Sequence, residues 1–450
     1  MELVSSTLED RARPTTGTRT RWGEIEWHNG ALADARITRM NPLSLIRGSK
    51  SSQVFIDLPR SALSLFLPGT RDLPYTGRWI FSEPFGPMNR RRTLNFARCC
   101  LALSITLALA ARADEAPNSE VLTYLDRLAD TVEARMAWGA ASPEEHAAWR
   151  GPFREKLDSL LGEWPESVPA EARWDAGDVL ETDAFLRRKV YLRTERDYWA
   201  PAYYYTPNNV SGKRPAILCF HGHSGILPYI REGSEAEKKK GELHHLDYAP
   251  FFAEQGYAVL AVVQRGWNET ANDKPHSCER LSRAGFLVNR TPIGMRVWDA
   301  MRLLDFLAGQ EGVDADRIAC AGLSGGGTTS LFFAALDDRI RAAIVAGYYC
   351  TFRDSIYSIH HCICNTVPGL MARGEMSDVA ALIAPRPLLV ISGTDDKIFP
   401  IDATRRAFDT LAATYAVLGA RNHLESDFFE GVHEWSNRKT LPFLEQHLGK

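Results

Sequence analysis

A serine inside a glycine-rich pentapeptide is the residue best suited to chemistry in this 450-residue chain. The segment reads Gly322-Leu323-Ser324-Gly325-Gly326, after an apolar run and before a helical pattern. Glycines two residues before and two after the serine are needed in a sharp strand-to-helix turn, because side chains there would collide with the backbone. The pattern predicts an exposed, nucleophilic serine beside a helix N-terminus. A glycine-rich helix start without chemistry is the alternative.

A serine hydroxyl needs a general base, and the base needs an acid to orient it. Asp395 and Asp396 follow an apolar run in the segment at residues 393–400, which places them at the end of a predicted strand. His433 follows another strand-like run, at residues 426–430. Because ligands of open α/β sheets bind at the carboxyl ends of the strands, we expect the serine, an acid and the histidine to meet there. An ordinary turn at the aspartates and a surface histidine are the alternatives.

Two backbone N–H groups are also required, since the tetrahedral intermediate of acyl transfer carries negative charge. Gly325, directly after the serine, is predicted to supply one of them. His223 is predicted to supply the other from the loop His-Gly-His-Ser-Gly that follows residues 216–220. A plain glycine turn is the alternative for this loop.

The candidate catalytic residues must be positioned by the regular elements of the fold, and the sequence shows apolar runs that alternate with helical patterns. The runs lack the polar alternation of half-exposed strands and lie at residues 216–220, 257–263, 317–321, 342–346 and 388–392. Helical patterns lie between them, at residues 249–255, 294–308, 325–336 and 402–418. This alternation predicts an α/β fold with a mainly parallel central sheet and helices on both faces. Residues 188–194 and 203–205 read as further strands, and residues 235–242 as a charged, solvated loop.

The predicted catalytic domain spans residues 186–450 and includes a small cap-like insertion at about residues 348–384. Residues 114–185 are predicted as an N-terminal helical segment that packs on the core, with helices over residues 118–138 and 142–164. The first helix carries an apolar stripe of Leu122, Leu125, Leu128 and Val132. Ser142 as a cap and Pro143 in the first turn predict the start of the second helix.

Composition and charge describe a globular protein. Hydrophobic residues make up 45% and charged residues 24%, which excludes collagen-like, wholly disordered and polytopic membrane classes. The 53 Lys and Arg against 56 Asp and Glu leave a formal charge of -3, so no global attraction to nucleic acid or anionic lipid is expected. The expected partner is a small or neutral molecule. The mature protein is not expected to insert stably into a membrane.

A candidate export signal begins at Met88. Arginines at 90–92 precede an uncharged apolar run at residues 99–111, and Ala111-Arg112-Ala113 has the small residues of a cleavage site. The run is shorter than the roughly 20 residues of a membrane-spanning helix. We therefore predict a start at Met88, a signal peptide at residues 88–113 and a periplasmic or extracellular location. Residues 1–87 are predicted to be a wrongly assigned upstream extension, with a disordered tail followed by a helix as the alternative.

The cysteines predict neither a metal site nor a cofactor. Residues 360–364 read His-His-Cys-Ile-Cys, but this spacing matches no common zinc pattern. Cys219 and Cys320 fall on predicted core strands, as inert thiols. Four further cysteines lie in predicted loops that an exported protein could oxidise, with no pairing indicated: Cys278, Cys350, Cys362 and Cys364.

These motifs together resemble serine α/β-hydrolases of the acetyl xylan esterase and dienelactone hydrolase-like branch. The resemblance rests on the serine turn, the His-Gly-x-x-Gly loop, the Gly-x-x-Asp-x-x-x-Pro segment that ends at Pro400, and Gly-x-His-Glu. It runs from about residue 186 to residue 448 and implies the α/β-hydrolase fold. The roles that it implies are nucleophile for Ser324, acid for Asp396, base for His433, and oxyanion donors for His223 and Gly325. Dienelactone hydrolases proper have a cysteine nucleophile, so Ser324 favours ester hydrolysis.

The resemblance implies an exported carboxylic ester hydrolase that forms an acyl-enzyme and needs no cofactor. Short acyl groups, such as the acetyl esters of carbohydrates, are the expected substrates. Trp267 and Tyr349 are candidates either for stacking on a sugar ring or for packing. A serine peptidase of the prolyl oligopeptidase type or a lactonase on the same fold is the alternative, although the chain lacks a β-propeller-sized N-terminal region. A non-catalytic binding module is disfavoured, because all catalytic groups occur in order.

Overall fold

The computed structural model describes residues 120–139, 141–208, 211–272 and 276–449, together with residues 55–56 and 79–80. The chain divides into two units, Met1–Pro117 and Asn118–Lys450. In the first unit, the described part is an antiparallel pairing of Phe55–Ile56 with Trp79–Ile80. The predicted signal at residues 88–113 and the rest of the predicted extension at residues 1–87 lie outside the described residues.

A nine-stranded sheet organises the second unit. The strands in chain order are β1 (Ala172–Glu181), β2 (Phe185–Glu195), β3 (Tyr198–Pro207), β4 (Arg214–Phe220), β5 (Ala258–Val262), β6 (Val313–Leu323), β7 (Ala342–Ala346), β8 (Leu388–Gly393) and β9 (Leu424–Phe429). Their spatial order is β9-β8-β7-β6-β4-β5-β3-β2-β1. Strands β4 to β9 pair in parallel, and β1, β2 and β3 pair antiparallel with their neighbours. The mainly parallel α/β architecture predicted from the sequence is confirmed.

Helices cover both faces of the sheet. In the described residues they are α1 (Val121–Thr131), α2 (Pro143–Leu161), α3 (Glu235–Leu243), α4 (Tyr248–Glu254), α5 (Cys278–Leu287), α6 (Pro292–Ala308), α7 (Gly325–Leu336), α8 (Met376–Ala381), α9 (Ile401–Val417) and α10 (Thr440–Leu448). Alternate residues of β4 face two separate apolar cores, as the two-residue period of a strand requires: Leu218 and Phe220 face one core, Ile217 and Cys219 the other. Helices α2, α6, α7, α8 and α9 contribute to the first core, and α4 and α10 to the second. None of the described helices is long and apolar enough to cross a bilayer.

Helix α2 begins where its sequence predicts. The Ser142 hydroxyl accepts a hydrogen bond from the Glu145 N–H at 3.2 Å, and Pro143 occupies the first helical position. The helix buries Phe153, Leu157 and Leu161 in the first core. Helix α2 of the N-terminal segment thus packs against the first core.

Helix α1 differs from its prediction. It covers 11 residues instead of the expected range 118–138, and none of them is buried. The leucines of the predicted stripe, at 122, 125 and 128, are between 40% and 72% exposed. Among the described residues, α1 is bound through an ion pair between Asp130 and Arg353 at 2.8 Å. The stripe predicted the helix correctly, but the expectation that this helix packs on the core was wrong for the described part of the chain.

Strand β1 was not predicted, since its residues fall within the segment expected to be helical. It pairs antiparallel with β2 at the edge of the sheet and is mostly exposed. Trp174 anchors it through ring contacts with Tyr204 at 6.2 Å and Phe306 at 5.9 Å. A mostly exposed edge strand lacks the regular apolar alternation by which a strand is identified in a sequence.

Residues 235–242 form helix α3 rather than the predicted charged loop. The Ser234 hydroxyl accepts from the Glu237 N–H at 3.3 Å, and the Glu237 carboxylate accepts from the Ser234 N–H at 2.7 Å. This reciprocal capping starts the helix. Because nearly all of α3 faces solvent, it has no apolar stripe that could distinguish it from a loop.

The chain between β7 and β8 is irregular. It contains a π-helical turn (Arg353–Tyr357), a 3-10 turn (Ile363–Asn365) and α8. This region corresponds to the insertion that the sequence placed at residues 348–384. Its 3-10 turn lies against the loop after β4, and the two segments meet at the candidate site described next.

Candidate active site

Ser324 lies at the turn between β6 and α7. Its φ of 59° and ψ of −121° form a conformation that residues with a side chain rarely adopt. The Ser324 N–H donates to the Ala346 carbonyl at 2.9 Å, and the Ser324 carbonyl accepts from the Thr328 N–H at 2.9 Å. The turn is thus held by β7 on one side and by its own helix on the other, as strained backbone requires.

Two glycines make this turn sterically possible. A Cβ atom on Gly322 would lie 2.3 Å from the Gly326 carbonyl oxygen. A Cβ atom on Gly326 would lie 1.8 Å from the Phe220 carbonyl oxygen. Both distances are far below van der Waals contact, so neither position accepts a side chain without moving the backbone.

His433 and Asp396 lie in hydrogen-bond contact. The His433 Nδ1 is 2.7 Å from the Asp396 Oδ2, in the loops after β9 and β8. The other carboxylate oxygen accepts from the N–H groups of Ile398 at 2.8 Å and Phe399 at 3.1 Å. The Asp396 side chain is fully buried. These bonds fix the carboxylate and, through it, the orientation of the imidazole ring.

The neighbouring Asp395 is exposed and does not contact His433 in this way. Its backbone N–H donates to the Gly431 carbonyl at 2.8 Å, which ties the loop of the aspartates to the loop of the histidine. The structure therefore brings Asp396, and not Asp395, to the imidazole.

Gly347 brings the histidine close to the serine turn. A Cβ atom at this position would lie 3.0 Å from the His433 Cε1 and 2.9 Å from the Leu323 Cδ1. Leu323 directly precedes Ser324, so the imidazole and the serine turn pack on the same glycine. The φ of Gly347 is +51°, a second reason for glycine here.

The loop after β4 packs against the other side of the turn. A Cβ atom on Gly222 would lie 3.1 Å from the Ser324 Cβ. A Cβ atom on Gly325 would lie 3.0 Å from the Cε1 of His223. The two residues that the sequence singles out as oxyanion donors, His223 and Gly325, therefore lie next to each other and next to the serine.

His221 supports this loop from the protein interior. Its Nδ1 donates to the Gly222 carbonyl at 2.8 Å, and its Nε2 accepts from the Gln264 N–H at 3.0 Å. A neutral imidazole satisfies both bonds, whereas a protonated ring would lose the second. Burial lowers the pKa of His221 to about 3, against a smaller opposing effect of the bond to the Gly222 carbonyl.

The His223 imidazole contacts cysteines that the sequence analysis left unconnected. Its Nε2 is 3.3 Å from the Cys364 Sγ, which in turn is 3.2 Å from the Cys362 Sγ. Burial opposes protonation of His223, but its bonds to the two cysteines raise its pKa to about 9. Hydrogen bonds from Cys278 and Cys362 and the nearby Arg296 guanidinium hold the pKa of the Cys364 thiol well below its usual range.

The six cysteines of the described residues are all free thiols. Burial raises the pKa of Cys219 well above its usual range and that of Cys320 to about 12, in agreement with their prediction as inert core thiols. Cys278, Cys350 and Cys364 were expected in loops open to oxidation but are buried, with Cys278 at the first position of α5. Their spacing in the sequence showed neither this burial nor the approach of Cys278 to Cys364.

Trp267 and Tyr349 are both buried, which favours the packing role left open for them. The Trp267 ring lies edge-on to the His223 ring, with a centroid distance of 5.4 Å. The Tyr349 hydroxyl donates to the Ala407 carbonyl at 2.8 Å. Neither ring presents an exposed face to a sugar.

Comparison with solved structures identifies the fold family. A structure from Bacteroides fragilis named as an acetyl xylan esterase has a TM-score of 0.61 at 18% identity, covering 70% of this chain and 83% of that chain. A glucuronoyl esterase from Solibacter usitatus has a TM-score of 0.52 at 15% identity, covering 71% of this chain and 100% of that chain. The chain has the α/β-hydrolase fold.

Sequence comparisons indicate the enzyme class. The family model for acetyl xylan esterases matches residues 187–361, which include Ser324 and His223 but neither Asp396 nor His433. The Bacillus subtilis protein YtaP, which carries the general name of a hydrolase, is 29% identical over 282 residues, 60% of this chain and 89% of YtaP. The chain is a carboxylic ester hydrolase similar to acetyl xylan esterases, and the resemblance drawn from its motifs is confirmed.

The buried neutral His221 predicts a loss of stability in acid. Its pKa is about 3 in the folded chain and near 6.5 when unfolded, so the unfolded chain takes up the proton first as the pH falls. The free energy of unfolding is therefore unaffected by this group above pH 6.5 and falls as the pH drops toward 3. Between pH 7.5 and pH 5 the loss is about 2 kcal/mol. The free energy of unfolding of His221→Gln, measured with urea at both pH values, should not show this loss.

The exposed His360 provides the matched control. The variant His360→Gln should keep the wild-type dependence on pH. An equal loss of unfolding free energy in the wild type and in His221→Gln would contradict a neutral His221 in the folded chain.

Proposed function

We propose that Ser324, His433 and Asp396 form a catalytic triad that hydrolyses short-chain carboxylic esters, in particular acetyl esters of carbohydrates. The observation that carries the proposal is the 2.7 Å bond from His433 to a fully buried Asp396. The imidazole of this pair packs on the same glycine as the turn of a strained serine. An activated serine requires this combination of nucleophile, base and orienting acid.

In the proposed reaction, the Ser324 Oγ attacks the ester carbonyl carbon while the His433 Nε2 accepts the serine proton. Asp396 holds the proton on Nδ1 and stabilises the imidazolium that forms. The N–H groups of Gly325 and His223 donate to the oxyanion, beside the positive end of the α7 dipole. The imidazolium then gives its proton to the leaving alcohol. Water, activated by the same nitrogen, hydrolyses the acyl-enzyme and releases the acid.

The proposal of a short acyl group has two supports. The first is the match of residues 187–361 to the acetyl xylan esterase family. The second is the set of rings around the two histidines: Phe399 lies 5.8 Å from the His433 ring, and His361 lies 6.3 Å from the His223 ring. Rigid rings beside the nucleophile suit an acetyl group better than a long, flexible acyl chain.

We also propose that the enzyme is exported, with translation from Met88 and cleavage after Ala113. The support is the order of basic residues, apolar run and small residues in that segment. An extracellular or periplasmic location would give the enzyme access to polymeric carbohydrate esters.

The adjacent aspartates provide a matched pair of variants for the triad. Asp396→Asn should lower kcat by about 10⁴, because an amide favours the wrong imidazole tautomer. Asp395→Asn, at an exposed neighbouring position, should change kcat by less than about threefold. A fluorophosphonate probe should label the wild type and fail to label Ser324→Ala. The reverse ranking of the two asparagine variants, or labelling of Ser324→Ala, would refute the assignment.

A series of 4-nitrophenyl esters tests the acyl preference. We expect kcat/KM to be highest for acetyl and to fall toward octanoyl, and we expect acetate release from acetylated xylan. Faster cleavage of octanoyl esters would exclude a short-acyl site. Faster cleavage of prolyl peptides or lactones would instead support the peptidase or lactonase reading of the fold.

A chain that begins at Asp114 should fold and retain the full esterase activity, since the unit Asn118–Lys450 contains the whole nine-stranded sheet and the candidate site. When the gene is expressed from Met88 in a bacterium, N-terminal sequencing of the exported protein should begin at Asp114. Deletion of residues 99–111 should keep the protein in the cytoplasm. Loss of soluble enzyme on removal of residues 1–113 would argue against both the start site and the export.

A further inference from the structure

A cluster of soft ligand atoms lies beside the proposed oxyanion loop and takes no part in the triad. One ring nitrogen of His223 and the sulfurs of Cys362 and Cys364 all lie within 4.8 Å of one another. We propose that this cluster is a zinc site, and that the ion joins the loop after β4 to the 3-10 turn Ile363–Asn365. Imidazole nitrogen and thiolate sulfur are the usual ligands of structural zinc.

Cys278 is placed to act as the fourth ligand. It is fully buried at the start of α5 and packs in one cluster with Cys364 and Trp267. The Arg296 guanidinium lies between the sulfurs, with Nη1 3.5 Å from the Cys364 Sγ and Nη2 3.7 Å from the Cys278 Sγ. The ligand atoms of His223, Cys362 and Cys364 lie within 4.8 Å of one another, and Cys278 is not part of this group. The Cys278 sulfur must therefore move closer to the other three ligand atoms to bind the ion. Three cysteines and one histidine form a common structural zinc set.

The distances fit a metal ion better than a disulfide. Zinc holds sulfur at about 2.3 Å and nitrogen at about 2.0 Å in a tetrahedron, so neighbouring ligand atoms lie roughly 3.5 Å apart or slightly more. The observed spacings of 3.2 Å and 3.3 Å need only a small expansion. A disulfide would require the two sulfurs at about 2.05 Å.

The charge of the surroundings also fits. Arg296 is buried, and its other hydrogen bonds go to the Arg265 carbonyl, at 2.9 Å and 3.3 Å. A buried guanidinium needs negative charge nearby. Three thiolates and one Zn²⁺ carry a net charge of about −1, which this guanidinium neutralises.

The ion would fix the parts of the site that surround the serine. Coordination through Nε2 leaves the imidazole proton on Nδ1. The Nδ1 atom lies beside Gly325, 3.1 Å from where a Cβ atom on that glycine would be. Asn365, next to Cys364, accepts a hydrogen bond from the Thr328 hydroxyl of α7 at 3.0 Å. The zinc site would thereby connect the proposed oxyanion loop, the insertion after β7 and the helix of the serine.

Cobalt titration of the full chain, purified reduced and metal-free, tests the site directly. We expect one equivalent of Co²⁺ to give a thiolate-to-cobalt charge-transfer band and the visible bands of tetrahedral cobalt, and Zn²⁺ to abolish both. Cys362→Ser and Cys364→Ser should each weaken binding at least about tenfold. Cys350→Ser removes a buried thiol elsewhere and should leave binding unchanged. Absence of a stoichiometric cobalt spectrum, or equal binding by the cysteine variants, would overturn the proposal.

Two further measurements on unaltered cysteines keep the proposal testable if those variants do not fold. Zinc should protect the partly exposed Cys362 of the wild type from alkylation, whereas unchanged alkylation would refute coordination. Peptide mapping without reduction should show no disulfide, and a bond that joins Cys364 to Cys278 or Cys362 in the isolated protein would also refute it. Ser324→Ala should bind Co²⁺ like the wild type, so that metal binding is decided separately from the proposed triad.

Discussion

The close approach of α7 to the central strands is the contact on which the rest of the site depends. Gly326 allows the first turn of this helix to touch the Phe220 carbonyl of β4, and Gly322 allows β6 to meet the same turn. Because the chain reverses in so little space, Ser324 must adopt its positive φ. Such strain costs about 1 to 3 kcal/mol and persists only where the surroundings fix it. Every residue of α7 is buried, which provides that fixation.

The parallel strands bring the remaining groups to the same edge. Gly222 follows β4, Gly347 follows β7, Asp396 follows β8 and His433 follows β9. Neighbouring parallel strands end on one side of the sheet. These loops therefore meet there although they are far apart in the sequence. The loops still differ in how they are held. Asp396 is held by backbone N–H groups of its own loop, whereas the loop after β4 depends on His221 beneath it.

Buried elements with a long, continuous apolar pattern could be predicted from the sequence, whereas two exposed elements could not. The apolar run at residues 342–346 coincides with β7, and the helical pattern at 325–336 coincides with α7, since both are buried and their patterns are continuous. Strand β1 and helix α3 face solvent and have no apolar pattern that distinguishes them. Helix α1 shows the converse error: its leucines have the period of a packed helix, yet they are exposed in the described part of the chain.

The same limit applies within the site. Local spacing found Ser324 because the glycines that its turn requires lie within five consecutive residues. Local spacing alone left Asp395 and Asp396 equivalent; the family resemblance selected Asp396, whose carboxylate the fold buries. The cysteine cluster is a stronger case, since His223 and Cys364 are 141 residues apart. The pair at 362 and 364 is only half of a zinc pattern, and the other half lies on the loop after β4 and on α5. A ligand set spread over three segments has no spacing rule, so only the meeting of these segments at one sheet edge makes it visible.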